Sequence, residues 1–179
     1  ECQTQRWNQM PHPLGLGLGL ATAAAAQILA IAYHYIRFHY APNALRVQRE
    51  KREYAFAEAA TTHLAQPGGM LMLTAYLSAT WMLELMPCSY YSFDGGVRPH
   101  MVAAQIVSQD LLQYAMHWLE HKGFGADFYK LSHKPHHRFV NPRWADAFNG
   151  SMADTFTMIL IPLFITAQLL HANVWEYMI

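Results

Sequence analysis

Four long apolar runs limit what this chain can fold into, since about 20 consecutive apolar residues are enough to cross a bilayer as a helix. They are residues 14–32, 70–88 and 101–119, and a last run that begins near Met152 and continues to the end of the chain. Hydrophobic residues make up 53% of the 179 residues, yet the mean hydropathy is only +0.02, so the apolar residues are concentrated in segments. The pattern predicts an all-α fold, an integral membrane helical bundle, with core helices of a soluble all-α domain as the alternative.

The four runs differ in how well they suit a lipid environment. Alternating Leu and Gly open the first run, and because Gly is a poor helix former the helix is expected to begin nearer Ala21. The third run carries Gln105, Asp110 and Gln113 and is too polar to face lipid on all sides. Pro162 is expected to kink the fourth run or to divide it into a re-entrant pair.

The distribution of charge predicts an orientation for the bundle. Twelve Lys and Arg balance twelve Asp and Glu, which argues against a nucleic-acid partner. The cations cluster after the first and third runs: Arg37, Arg46, Arg49, Lys51, Arg52, and Lys122, Lys130, Lys134, Arg138, Arg143. If the second and third runs form a hairpin, both basic loops lie on one side, which the positive-inside rule assigns to the cytosol. Residues 1–68 then form a transmembrane segment with a basic cytosolic loop, and residues 69–179 form a second unit.

Two groups of histidines dominate the second unit. His117 and His121 are four residues apart at the end of the third apolar run, so they share one face of a helix. Asp110 and Tyr114 fall on that same face. A polar stripe on an apolar helix is expected to point into the protein or a cavity, and this stripe ends in two imidazoles.

The second histidine group follows a glycine-containing turn. His133, His136 and His137 form an H-x-x-H-H pattern, with Ser132 as a candidate N-cap that would bring the three imidazoles onto one face. Neutral imidazole binds first-row transition metals well, so the five histidines predict a histidine-rich metal site at the cytosolic face of the bundle. For a protein with such a site, the alternatives to a metal-dependent redox enzyme are a membrane metal-binding or transport protein and a catalytically inactive homologue of such an enzyme.

These motifs resemble the fatty acid hydroxylase/sterol desaturase superfamily of integral-membrane di-iron oxygenases. The family's D-x3-Y-x2-H-x3-H and H-K-x-H-H patterns match Asp110, Tyr114, His117, His121, His133, Lys134, His136 and His137. Its later histidine in an apolar helix matches His171, and Asn149 stands where sterol desaturases have a histidine. Residues 69–179 are thus similar to a fatty acid hydroxylase domain, most closely to the sterol C5-desaturase-like branch. The chain is expected to be a piece of a longer protein, with the family's final H-x2-H-H box beyond Ile179.

The resemblance implies a specific chemistry. It implies a non-haem di-iron centre that hydroxylates or desaturates a sterol or fatty acyl lipid with O2, in a multi-pass protein of the endoplasmic reticulum. Electrons would come from NAD(P)H through a reductase and a carrier such as cytochrome b5. His117, His121, His133, His136, His137 and His171 would be the iron ligands, with Asp110, Tyr114 and Asn149 as side chains that support them.

Overall fold

The computed structural model describes residues 13–40, 67–138 and 150–178, and all regular structure within them is helical. The helices are α1 (Pro13–Tyr40), α2 (Pro67–Met82), α3 (Pro99–Lys122), α4 (Ala126–Leu131), α5 (Met152–Thr155), α6 (Ile161–Leu170) and α7 (Val174–Met178). Short 3₁₀ helices cover Cys88–Tyr91 and His136–Arg138, and a π-helical segment, Phe156–Leu160, joins α5 to α6. The predicted all-α class is confirmed for these residues.

The helices pack as an antiparallel bundle with two distinct ends. α3 lies along α6 and the π-helical segment, while α1 packs on α2 and α7. At one end, Glu120 near the end of α3 accepts a hydrogen bond from Thr157. At the opposite end, Arg98 before α3 contacts Glu176 in α7. The bundle therefore has a histidine end, where α3 finishes, and a far end, where α3 begins.

Glycines explain why α1 starts earlier than expected. The helix begins at Pro13 rather than near Ala21, and Pro is tolerated in a first helical turn. A Cβ on Gly15 would collide with the buried ring of Trp81, and one on Gly19 would lie 2.6 Å from the sulfur of Met178. The expectation of a late start was wrong because close helix packing compensates for the low helix propensity of glycine.

The fourth apolar run forms one continuous helix from Met152 to Leu170. Pro162 does not divide it into a re-entrant pair. Proline lacks a backbone N–H, and here it follows directly on the π-helical segment, where the wider turn already departs from the usual hydrogen-bond ladder. The helix ends at His171, whose backbone is left-handed with φ 51° and ψ 40°.

Two helices in the described part of the chain are long and apolar enough to cross a membrane, Pro13–Arg37 and Met152–Leu170. Only 17% of the apolar window of the first is buried, with Ile28 and Leu29 largely exposed, which disfavours the alternative of a soluble core helix. α2 has 16 residues and α3 retains its polar residues, so four spans stay a prediction. The architecture is that of a helical membrane bundle.

A buried carboxylate closes the far end of the bundle. Glu176 accepts hydrogen bonds from the backbone N–H of Arg98 and Asn173 and from the Arg98 guanidinium, at 2.5 and 2.8 Å for the guanidinium nitrogens. Gln105 of α3 donates to the backbone carbonyl of Glu176 at 2.9 Å. The side chain thereby joins the start of α3 to α7.

We predict that Gly15→Ala destabilises the bundle, because its methyl group would overlap Trp81. Overpacking of this kind costs about 1–3 kcal/mol. Gly17→Ala is the matched control, since nothing lies within 4 Å of a Cβ at that position, and it should gain up to about 1 kcal/mol from helix propensity. Thermal unfolding in detergent, followed by circular dichroism, measures both. Equal effects of the two substitutions would contradict the packing account.

We also predict that Glu176 contributes to the stability of the fold in a pH-dependent way. The hydrogen bond from Arg98 lowers the pKa of Glu176 from its ordinary 4.5 to about 2, so its stabilisation is present above pH 4.5 and is lost as the pH falls toward 2. Glu176→Gln should therefore unfold at a lower temperature than the unchanged chain at pH 7, with the gap closing between pH 4.5 and 2. A gap that stays constant over this range would refute the ion-pair contribution.

Candidate metal centre

Two elements bring histidines to one end of the bundle. His117 and His121 lie one turn apart near the end of α3. The chain then reverses through Gly125, whose φ of 88° lies in the left-handed region that favours glycine, and α4 follows. His133 and His137 come after α4 and face back toward α3. The sequence order α3, turn, α4 thus places both histidine groups together.

Four of the five box histidines form a compact cluster. One ring nitrogen from each of His117, His121, His133 and His137 lies within 4.8 Å of the other three. The Nε2 atoms of His121 and His137 are 3.1 Å apart, and the ring centres of His117 and His133 are 4.4 Å apart. This spacing is close to that of imidazole nitrogens around one transition-metal ion, each bound at about 2 Å.

His136 lies beside this four-histidine cluster rather than within it. Its ring centre is 5.5 Å from that of His133 and 5.8 Å from that of His137. Its Nδ1 is buried and has no hydrogen-bond partner among the described residues. The nitrogen is therefore free to bind a ligand, but not at the position shared by the other four.

The structure does not bring His171 to the cluster. His171 terminates α6, whereas Asp154 at the start of the same helix contacts His133. Positions 154 and 171 are 17 residues apart, which corresponds to about 25 Å of helix. His171 is exposed at the far end of the bundle, where its role is to end the helix in a left-handed conformation.

The side chains expected to support the ligands are also placed elsewhere. Asp110 and Tyr114 are exposed on α3, and neither forms a hydrogen bond to a cluster histidine among the described residues. They share the face of His117, but Asp110 lies two turns away along the helix, about 10 Å, beyond the reach of its carboxylate. Asn149 lies outside the described residues.

Instead, two carboxylates that the sequence analysis did not select support His133. Its Nδ1 lies 2.6 Å from Oδ1 of Asp154 and 3.0 Å from Oε2 of Glu120, and all three side chains are buried. The sequence contains two hints of these carboxylates. Glu120 adjoins His121, and Ser151 and Asp154 form a Ser-x-x-Asp helix-capping pattern. Neither signal specifies His133, because only tertiary packing brings residue 154 to it.

Ser132 has a different role from the expected N-cap. It follows the last residue of α4, and its hydroxyl donates a hydrogen bond to Glu120 at 2.5 Å. Thr157 donates to the same carboxylate oxygen. The capping expectation was wrong because Ser132 is buried against α3, where the carboxylate is the nearest acceptor.

The cluster fits a transition metal on its donor chemistry. Nδ1 of His133 forms a hydrogen bond with Oδ1 of Asp154. The other ring nitrogen, Nε2, is buried and has no partner in the described part of the chain. Burial lowers the pKa values of His133 and His137 below the ordinary 6.5, and neighbouring histidines lower them further, while Glu120 acts in the opposite direction on His133. The net shift favours the neutral imidazole in both. Neutral imidazoles with unused lone pairs are the ligands that iron, zinc and copper bind.

The part of the chain that holds the cluster matches a known protein family. The family model for Fatty acid hydroxylase matches residues 102–179, which include every histidine of the cluster. The chain is 51% identical over 175 residues to a protein of Phaeodactylum tricornutum (strain CCAP 1055/1) named "Alternative squalene epoxidase". The match covers 96% of this chain and 50% of that relative, so the chain spans half of the relative's length. No solved structure matches the chain.

We predict that removing one cluster histidine weakens metal binding. His117→Ala or His133→Ala should raise the dissociation constant for Co²⁺ by more than about tenfold, since even a side chain that only supports a metal ligand is worth 10–100-fold. His100→Ala, at the exposed start of α3, and His171→Asn, which suits a left-handed backbone, are the controls. Titration of the purified chain in detergent, followed by cobalt absorption, measures the affinities. Loss of binding in His171→Asn alone would return that residue to the ligand set.

Proposed function

Because residues 102–179 belong to the fatty acid hydroxylase family, we propose that this chain is part of a membrane-bound oxidoreductase that oxidises a lipid with O2 at a non-haem iron centre. The observation that carries the proposal is the cluster of four ring nitrogens within 4.8 Å of one another. It lies at one end of a bundle in which two of the described helices are long and apolar enough to cross a membrane. A lipid substrate can approach such a site directly from the bilayer.

The proposed centre contains two irons, as the family resemblance implies. His117, His121, His133 and His137 would hold one of them. The unpaired Nδ1 of His136 would bind the second iron, together with ligands that the described residues do not include. Iron bound in this way supplies the reduction of O2 and the oxidation of an unreactive hydrocarbon. The chain's own contribution is to hold the imidazoles neutral, oriented and partly shielded from water.

We propose a polyunsaturated isoprenoid of the squalene type as the substrate, on the strength of the relative's name. In an epoxidation, one atom of O2 adds across a carbon–carbon double bond. The other atom takes two electrons and two protons and leaves as water. Hydroxylation or desaturation of a sterol or fatty acyl chain, the reactions first expected, are the competing outcomes of the test below.

The electrons for this reaction must come from a separate carrier, for which we propose cytochrome b5 with an NAD(P)H-dependent reductase. Exposed lysines beside the cluster, Lys122 and Lys134, give its outer rim a positive charge that suits an acidic carrier. The same basic rim favours a cytosolic orientation under the positive-inside rule. We propose a multi-pass protein of the endoplasmic reticulum membrane on this basis.

A metal transporter is the rival function. Transport predicts acidic and histidine ligands staggered along several helices through the bilayer. In the described part of the chain, both groups of side chains with metal-binding spacing lie at the same end of the bundle and share His133. That arrangement favours a fixed cofactor over a path.

The test is an assay of the full-length parent protein in microsomes. We predict that, with NADH, cytochrome b5, its reductase and O2, it converts squalene to an epoxide that carries one ¹⁸O atom from ¹⁸O₂. His133→Ala should abolish the product and lower the bound iron, whereas His100→Ala should leave both unchanged. Product analysis by mass spectrometry distinguishes an epoxide from a hydroxylated or desaturated sterol or acyl lipid.

The negative outcomes are equally specific. Iron binding without any oxidised lipid would favour the inactive homologue. Metal-dependent uptake into sealed vesicles without lipid oxidation would favour the transporter.

A further inference from the structure

His133 differs from an ordinary buried histidine in how its two nitrogens are used. Its side chain is 2% exposed, and Nδ1 contacts two carboxylates while Nε2 contacts no hydrogen-bond partner among the described residues. A histidine buried only for stability normally has both nitrogens paired, because an unpaired buried polar atom is costly. One ring nitrogen of His133 lies within 4.8 Å of a ring nitrogen of each of the other three cluster histidines.

The two carboxylates beside His133 are themselves held in place. Glu120 is fully buried and accepts hydrogen bonds from the hydroxyls of Ser132 and Thr157. These three residues come from α3, from the turn after α4 and from the π-helical segment. The Glu120 carboxylate therefore has one orientation fixed by three separate elements.

Asp154 lies beside Glu120 and is also held in place by Ser151. It lies in the first turn of α5, where its backbone N–H donates to the capping Ser151 hydroxyl at 3.0 Å. Ser151 in turn donates to the carbonyl of Ser132 at 2.7 Å, which ties α5 to the residue before His133. Gly150 leaves the space that Oδ2 of Asp154 occupies, since a Cβ there would overlap this oxygen.

We propose that Glu120 and Asp154 are positioning residues that together hold His133 in the tautomer with its proton on Nδ1 and its Nε2 directed at the metal. The proposal rests on the proposed function insofar as the cluster binds a metal. A carboxylate that accepts the distal N–H of a ligating histidine fixes the ring and makes it a better ligand. Here two carboxylates from different helices lie beside one ring, so the orientation of His133 depends on the docking of α3 against the π-helical segment that continues α5.

The experiment measures Co²⁺ binding and the histidine tautomer rather than activity alone. Glu120→Gln and Asp154→Asn, singly and together, remove the charged acceptors with little change in size. We expect the double variant to bind Co²⁺ 10–100-fold more weakly and with an altered cobalt absorption spectrum. The second measurement is NMR of the metal-free protein labelled with ¹⁵N-histidine. In the variants, the chemical shift of the His133 Nδ1–H signal should no longer be that of a single tautomer. Asp127→Asn is the matched control, because Asp127 is an exposed carboxylate of the same region.

A second variant guards against misfolding of the buried-charge variants. Gly150→Ala keeps both charges and displaces only the Asp154 carboxylate, so it should weaken Co²⁺ binding in the same direction while circular dichroism remains unchanged. Unchanged affinity and spectrum in Gly150→Ala and in the double variant would overturn the positioning role.

The outcomes separate this proposal from the proposed function. Failure of the unchanged chain to bind Co²⁺ would overturn both. Tight binding that survives in all carboxylate variants would overturn only the positioning role. A cobalt spectrum showing carboxylate oxygen bound to the metal in the unchanged chain, and lost in Glu120→Gln, would make Glu120 a ligand and likewise overturn it.

Discussion

The contact of His133 with Glu120 and Asp154 is the interaction on which the histidine end of the bundle depends. It joins three parts of the chain, at 2.6 Å to Asp154 and 3.0 Å to Glu120, in a region closed to solvent. Burying two carboxylates is unfavourable unless donors surround them. Ser132 and Thr157 donate to Oε1 of Glu120, and the imidazole forms a hydrogen bond with Asp154. Oε2 of Glu120 lies 3.0 Å from Nδ1 of His133 but has no hydrogen bond among the described residues. The group forms only when α3, the turn after α4 and α5 are all in place.

A second buried carboxylate fixes the other end of the same helices. Glu176 joins α7 to the residue before α3 through Arg98, and Gln105 adds a bond from α3 itself. In lipid, apolar side chains gain little from contacting one another instead of acyl chains, so packing and polar bonds determine how helices dock. α3 is thus held at both ends, and this fixes the position of His117 and His121 within the bundle.

This construction explains how a histidine cluster can lie at the end of an apolar bundle. The imidazoles occupy the rim, where cationic side chains such as Lys122 reach water. In our proposal, a lipid would reach the cluster from the side, past the apolar helices. The chain spans half of its 51% identical relative, and the second iron in our proposal draws on residues outside those described. The contacts of His133 Nδ1 with Glu120 and Asp154 both lie within this half.

The sequence by itself determined the helical class, the apolar runs and the two histidine groups, because all three follow from local spacing along a helix. The expected start of α1 was wrong, since the reason for a glycine at position 15 is its close contact with Trp81, a residue that is distant in the sequence. The sequence also assigned His171 to the site, because one histidine in an apolar run says nothing about which end of the bundle it occupies. Only the tertiary structure selected Glu120 and Asp154, because the antiparallel docking of α3 against the π-helical segment and α6 determines which carboxylates reach His133.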